Sequence, residues 1–271
     1  MKLFASDLDG TLLNKEHKAD AIINQGLQDI EKAGHVFTVC TGRNLSLTRS
    51  AGLIDSYKIC MNGACITNPQ DTVLFSHPFD TETIALLLRQ PLFSFEYQTL
   101  DAIYTSKDAD TFREIYEKNL ILRNRKIQKD MEKNLKNYVF NCTPDFILQQ
   151  KVYKVNLHYA DASMREKVDA FVSKHKDTII NAPSTTRLAE LTQAGITKAN
   201  AVTELAQYLQ IDESDVYVYG DGINDIQMLE RFDHSYCPKN GSAQAKQAAN
   251  HLLDDFETYS VIRHMQEVIR E

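Results

Sequence analysis

Asp7 and Asp9 flank Leu8 directly after a short apolar run, Leu3-Phe4-Ala5, and lead into Gly10-Thr11. Aspartate is disfavoured in strands, so two carboxylates one residue apart at a strand's end call for a chemical reason. Hard oxygen ligands of this kind suit a divalent cation such as magnesium. One of the pair could also serve as a nucleophile toward phosphorus. In extended chain the two side chains share a side, and a turn at Gly10 would free Asp9 to handle a proton. The competing reading is a helix cap or Asx-turn closed by glycine. A calcium loop starting at Asp7 fails, because its sixth position is Leu12 and its twelfth is Lys18, not glycine and an acid.

Three further sites follow apolar runs in the same way. Asp221 and Asp225 stand four apart in Gly220-Asp221-Gly222-Ile223-Asn224-Asp225. They can add carboxylates to one cation, while the glycines permit a tight turn and close approach. A dinucleotide fingerprint would need glycine where Asp225 stands, and that carboxylate would repel a pyrophosphate. Thr41-Gly42-Arg43 offers a hydroxyl, an open amide and a fixed cation, which suit a phosphate oxyanion; the competing reading is a helix cap at Thr41. Met61-Asn62-Gly63-Ala64 is the fourth site. Lys198 follows Gly195-Ile196-Thr197, a turn and cap signal. A lysine in a first helical turn opposes the helix dipole, so it either neutralises an anion or is an ordinary surface lysine.

Alternating elements must position these groups. A strand over 2–6, a helix over about 18–32 with Ile23, Leu27 and Ile30 at i, i+4 and i+7, and a strand over 36–40 follow in order. Gly34 closes the helix, and another strand runs over 57–61. Strand–helix–strand at this length implies a right-handed crossover and a parallel sheet, whose ligands bind beyond the strands' carboxyl ends. The rhythm changes near residue 72. Residues 72–79 read as extended or hairpin, and a short helix over 83–89 ends before Pro91. Phe93, Phe95 and Tyr97 alternate, as do Tyr153, Val155, Leu157 and Tyr159, which suggests strands with one exposed face. Residues 108–136 read as a charged helix, with Arg123, Arg125, Lys126, Lys129, Lys133 and Lys136 on a solvated face. Met164, Val168, Phe171 and Val172 mark another amphipathic helix. After Pro183 the α/β rhythm returns, with a helix over 197–210, a strand over 215–219, and helices over 242–249 and 257–270. The reading is an α/β chain: a Rossmann-like parallel-sheet core, 1–80 and 184–271, with an inserted α+β domain, 81–183.

Composition is consistent with this. The 271 residues are 43% hydrophobic and 25% charged, ordinary for a globular protein, and the length suits one large or two smaller domains. A net charge of −7 argues against nucleic acid as the main partner. Residues 81–183 hold 16 basic against 14 acidic groups and the rest 14 against 23, a weak match to an anion-facing part and a metal-holding part. Five cysteines in no metal or redox spacing read as reduced core residues of a cytoplasmic protein. No secretory signal is visible. The run Ile84–Leu88 is too short to span a bilayer.

Taken in order, Asp7-Leu8-Asp9-Gly10-Thr11, Thr41, Lys198 and Gly220-Asp221-Gly222-Ile223-Asn224-Asp225 resemble the haloacid dehalogenase-like hydrolase superfamily. Thr41-Gly42-Arg43, Met61-Asn62-Gly63-Ala64, Glu190-Leu191-Thr192 and the insert between Thr41 and Lys198 resemble its Cof-type phosphatase branch. The resemblance implies Asp7 as nucleophile, forming an aspartyl-phosphate, and Asp9 as the acid and then the base. It implies Thr41, Gly42, Lys198, Asn224 and Leu8 around the phosphate, with Arg43 and Asn62 toward the substrate. Magnesium would rest on Asp7, the Asp9 carbonyl and Asp221, with Asp225 in support. The inserted domain would be a specificity cap. The expected partner is a small phosphorylated metabolite (a sugar phosphate, nucleotide or cofactor phosphate), with neither nucleic acid nor membrane, in a monomer or homodimer. A phosphotransferase or sugar phosphomutase is the alternative, and a non-catalytic ligand-binding regulator a more distant one. The chain departs from the branch at Pro238-Lys239-Asn240-Gly241, where Met-Gly-Asn-Ala is usual, and at Thr258-Tyr259-Ser260, where a glycine precedes the last helix.

Overall fold

The computed structural model describes residues 1–90, 94–118 and 135–270, with the side chains of 115–118 left aside. The first stretch runs β1 (Leu3–Ser6), α1 (Ala21–Lys32), β2 (Val36–Cys40), α2 (Leu45–Arg49), β3 (Tyr57–Cys60), β4 (Cys65–Thr67) and β5 (Val73–Ser76). The middle holds α3 (Thr81–Leu88), β6 (Glu96–Gln98), β7 (Ile103–Tyr104), α4 (Ala109–Lys118), β8 (Tyr138–Val139), α5 (Pro144–Leu148), β9 (Lys154–His158), α6 (Ala162–Lys174), β10 (Ile179–Asn181) and β11 (Leu188–Gln193). The last stretch runs α7 (Lys198–Tyr208), β12 (Val216–Tyr219), α8 (Ile226–Arg231), β13 (His234–Pro238), α9 (Ala243–Ala248), β14 (His251–Leu253) and α10 (Ser260–Val268). Two compact units result: Met1–Ser76 with Gly195–Glu271, and His77–Ala194.

The first unit is built on an eight-stranded sheet in the order β14-β13-β12-β1-β2-β3-β4-β5. Its pairings are parallel from β14 to β3, and the hairpin β4–β5 closes one edge antiparallel. Both faces of the sheet are covered, which is why its strands read as unbroken apolar runs. Leu3 and Ala5 of β1 pack with Val202 and Leu205 of α7 and with Met228 and Leu229 of α8. Phe4, on the other side, packs with Ile23, Leu27 and Ile30 of α1 and with Ile262 and Met265 of α10. The α/β parallel-sheet core expected from the chain is the fold observed.

The second unit holds a six-stranded sheet, β10-β11-β9-β6-β7-β8. Tyr97, Val155, Leu157 and Leu191 point to its apolar side and pack with Ile84 and Leu87 of α3, Ile147 of α5 and Val168 of α6. The opposite face carries Glu96, Gln98, Lys154 and Glu190. These residues are buried, not exposed as alternation suggested. Pairing permits this, because Lys154 Nζ lies 3.0 Å from Glu190 Oε2 and Tyr138 donates its hydroxyl to Glu96 at 3.0 Å.

Several boundaries differ from the sequence reading for identifiable reasons. Asp20 accepts from the amides of Ile22 and Ile23, so α1 begins at Ala21 and not near Lys18. Asp80 caps α3 in the same way. β13 and β14, with α8 between β12 and β13, were not anticipated; their polar and short sequences carry little periodicity. After Pro183, β11 still pairs with β9, so the chain rejoins the parallel sheet only beyond it. Of the stretch 108–136, the helix α4 is described; Arg123, Arg125, Lys126, Lys129 and Lys133, like Pro91 and Phe93, lie outside the described residues. All five cysteines are buried thiols outside any disulfide. Among the described residues, no helix is long and apolar enough to cross a membrane.

Candidate active site

β1 and β12 are parallel neighbours, and their carboxyl ends deliver Asp7 and Asp221 side by side. The Asp7 amide continues the ladder to the Tyr219 carbonyl at 2.9 Å, which holds the Asp7 backbone in place. The chain then turns. Asp9 is extended (φ −84°, ψ 113°) and Gly10 is left-handed (φ 84°), a conformation glycine adopts without steric cost. Thr11 hydrogen-bonds Asp221 Oδ1 at 2.8 Å, tying the turn to the second carboxylate.

Carboxylate oxygens of Asp7, Asp221 and Asp225 gather within 4.8 Å of one another. Lys198, only 1% exposed, reaches into this cluster from the first turn of α7. Its Nζ lies 2.7 Å from Asp7 Oδ1 and 2.6 Å from Asp225 Oδ1. It is therefore not the surface lysine that the sequence also allowed. Burial works against its charge, but Asp225 and Asp7 outweigh burial and raise its pKa well above the usual lysine range. Burial, with Asp225, Asp221 and Asp9 nearby, pushes Asp7 up despite the opposing lysine. Burial and Asp225 raise Asp221 to about 6. Asp225 is fully enclosed, and its Oδ2 accepts from the amides of Asp221 (3.1 Å) and Gly222 (2.9 Å).

Asp9 faces elsewhere. Arg43 binds both of its oxygens, with Nε at 2.7 Å from Oδ2, and His17 Nδ1 lies 2.7 Å from Oδ1. Burial would raise Asp9, but His17 and Arg43 prevail and lower it to about 2. The Asp9 carboxylate is thus separate from the cluster of three.

The loops after β2 and β3 are stitched together. The Asn62 amide donates to the Thr41 carbonyl at 3.0 Å and the Met61 amide to the Arg43 carbonyl at 2.9 Å. Thr41 is buried, and its hydroxyl accepts from the Arg43 amide at 3.2 Å. The helix cap that Thr41 was weighed against is supplied by Asn44, which caps α2. Gly63 has φ 107°, and a Cβ there would stand 2.5 Å from the Thr197 carbonyl oxygen, so this loop lies against the start of α7. Asn224 donates to Asn62 Oδ1 at 3.0 Å, joining the second and fourth sites. Leu8 is buried in the core beneath its loop. Asn240, in the divergent segment, donates to the Gly10 carbonyl at 2.7 Å. Sequence reasoning did not give it this place, since no local pattern joins residues so far apart.

The second unit carries a polar row that the sequence did not disclose. Cross-strand registers set Glu96, Asn156 and Glu190 abreast, with Gln98 beside Lys154. Gln98 Oε1 and Asn156 Oδ1 are buried acceptors without a partner among the described residues. Such atoms are costly unless something donates to them.

The three clustered carboxylates are a donor set suited to a hard divalent cation. The cation beside them is a lysine, which can oppose an incoming anion's charge. A family model described as haloacid dehalogenase-like hydrolase matches residues 4–265. A protein named HMP-PP phosphatase, from Yersinia pseudotuberculosis, is 24% identical over 254 residues, covering 91% of this chain and 86% of the relative. Two solved structures share the fold. One, from B. subtilis and described as a haloacid dehalogenase-like hydrolase, has a TM-score of 0.82 at 22% identity, covering 99% of this chain and 100% of that one. The other, described as a subclass IIB sugar phosphatase, has a TM-score of 0.75 at 19% identity, covering 99% of each chain. The chain belongs to the haloacid dehalogenase-like hydrolase family.

Proposed function

We propose that this haloacid dehalogenase-like hydrolase is a magnesium-dependent phosphatase of small phosphorylated metabolites, working in the cytoplasm. The gathering of Asp7, Asp221 and Asp225 within 4.8 Å, with Lys198 at 2.7 Å from Asp7, carries this reading. Asp7, Asp221 and the Asp9 carbonyl would hold the cation, which neutralises charge on the phosphoryl oxygens when bound. Asp225, already engaged with Lys198 and two amides, braces the set.

An Asp7 carboxylate oxygen forms the new bond to phosphorus as the bond to the leaving oxygen breaks. Asp9 gives that oxygen its proton. A water then attacks the aspartyl-phosphate, Asp9 takes the water's proton, and inorganic phosphate leaves with Asp7 restored. Thr41, the Gly42 amide and Asn224 orient the phosphoryl group, and Lys198 offsets its charge. Little else is required, because phosphoryl transfer depends chiefly on positioning and charge. Before acting as an acid, Asp9 must leave Arg43 and take up a proton.

The inserted unit, 81–183 in its sequence bounds, is assigned the choice of substrate. The direct test is phosphate release from a panel of phosphorylated metabolites, with and without magnesium, by the native chain and by Asp7→Asn. Magnesium-dependent release lost in the variant is the expected outcome. Absence of release by folded native protein would overturn the reading, and isomerisation of a hexose phosphate would replace it with a mutase.

A further inference from the structure

The turn that leaves β13 is anchored on one of the loops that carry the clustered carboxylates. The Gly241 amide closes onto the Pro238 carbonyl at 2.9 Å, which makes a four-residue turn with Asn240 at its third position. A Cβ on Gly241 would collide with Cys237 Sγ and stand 3.4 Å from Asp221 Cα, so the turn lies directly on the Asp221 backbone. Ser242 follows. Its hydroxyl caps α9 by accepting from the Ala245 amide at 3.1 Å, and its own amide donates to the Asp221 carbonyl at 2.9 Å.

Asn240 reaches from this turn to the other loop. The residue is exposed, yet both ends of its side-chain amide are committed to backbone from remote segments. Nδ2 donates to the Gly10 carbonyl at 2.7 Å, and Oδ1 accepts from the Phe256 amide at 3.2 Å. One partner requires a donor and the other an acceptor, so the two bonds fix which way the amide faces. Gly10 is the hinge between the Asp9 carbonyl and the Thr11 hydroxyl that bonds Asp221. Glycine permits its left-handed conformation (φ 84°, ψ 1°) but does not enforce it. The bond from Asn240 supplies the restraint that the glycine lacks.

We propose that Asn240 is a positioning residue for the cation site, holding the Asp9-Gly10-Thr11 turn against the Asp221 loop before a cation arrives. The inference rests on the reading of Asp7, the Asp9 carbonyl and Asp221 as magnesium ligands. A turn ordered in advance spares the binding step the cost of ordering it. Magnesium is a stringent probe of such order, because it demands near-ideal octahedral geometry. Asn240 acts only through the turn and contributes no ligand of its own.

Calorimetric magnesium titration of the intact chain, with amide NMR of the cation-free protein, tests this. Asn240→Ala should bind magnesium about fivefold more weakly, the effect of one neutral hydrogen bond. Lys239→Ala, which removes an exposed ion pair with Asp254 from the same turn, should bind it as the native chain does. Asn240→Asp still accepts from the Phe256 amide but has no donor for the Gly10 carbonyl. It and Asn240→Ala should both shift the amide signals of residues 9–11 before any cation is added, which traces the effect to Gly10 and not to Phe256. Native affinity in folded Asn240→Ala, an equal loss in Lys239→Ala, or unmoved signals at 9–11 in both Asn240 variants would each overturn the positioning role while leaving the cation site standing. A native chain that binds no magnesium would instead overturn the cation reading, and this inference with it.

Discussion

A Cβ on Gly10 would stand 2.5 Å from the Oδ2 atom of Asp221. The glycine after the first aspartate pair is therefore required twice: its φ of 84° disfavours any side chain, and the space beside it belongs to the second carboxylate. Gly10→Ala should destabilise the chain by about 1–3 kcal/mol, from left-handed backbone and displaced packing together. It should also weaken magnesium binding. Urea denaturation and a magnesium titration would measure both, and an unchanged cation affinity would show that Asp221 is not held there for a metal.

Lys198→Met leaves the buried Asp7 and Asp225 carboxylates without their cation. Breaking a buried pair from one side costs about 3–5 kcal/mol. Lysine's raised pKa keeps it charged throughout the neutral range, so any pH dependence of the loss comes from the acids. Protonation of Asp7, whose pKa burial raises, relieves part of this cost, and the loss should therefore shrink as pH falls from 8 to 5. Urea midpoints of the variant and the native chain across that range are the measurement. A loss that is constant with pH would contradict the coupling.

Asp221, with its pKa raised to about 6, makes cation binding sensitive to pH. The ordinary carboxylate value is 3.8. Without a cation, folding therefore takes up protons between these values, and this group's contribution to stability declines as pH rises from about 4 to about 6. A bound cation needs the ionised form, so magnesium affinity should fall by about tenfold per unit below pH 6. Calorimetric titration with magnesium at pH 5, 6 and 7 checks this, and affinity that is flat across the three would remove Asp221 from the ligand set.

Arg43→Ala releases Asp9 from its two-pronged partner. Asp9's lowered pKa means its paired carboxylate adds stability above the ordinary carboxylate value, which is lost as pH falls toward 2. In the variant its titration should move back up toward the ordinary range, with His17 holding part of the shift. Carboxyl carbon NMR shifts of Asp9 between pH 2 and 6 provide the readout. If the titration does not move, His17 alone sets the value.

Gln98→Leu removes a buried acceptor that has no partner among the described residues while keeping its volume close. Losing that unmet acceptor should raise stability by about 1 kcal/mol, read from urea midpoints. A clear loss of stability would show that the Gln98 amide is satisfied in the folded chain.

What the sequence determined by itself is local. Each site follows an apolar strand run, and glycine, proline and short polar residues mark where those runs end. Period-two geometry and tight turns are set by neighbouring residues, so the positions of Asp7, Thr41, Asn62 and Asp221 at strand exits could be read directly. The α/β class followed from the same rhythm. β13, β14, α2 and α8 escaped because their few residues carry no distinctive period, and tertiary packing defines them. Only the tertiary structure decided which exits meet. Parallel order β12-β1-β2-β3 brings Asp221 beside Asp7, and Asn224 beside Asn62, across more than a hundred residues of chain. It also decided that Asp9 pairs with Arg43 while Asp7 meets Lys198, and that the polar face of Glu96, Lys154 and Glu190 is buried. Spacing along the chain sets the direction of a side chain, whereas burial and charge partners depend on segments that only folding brings together.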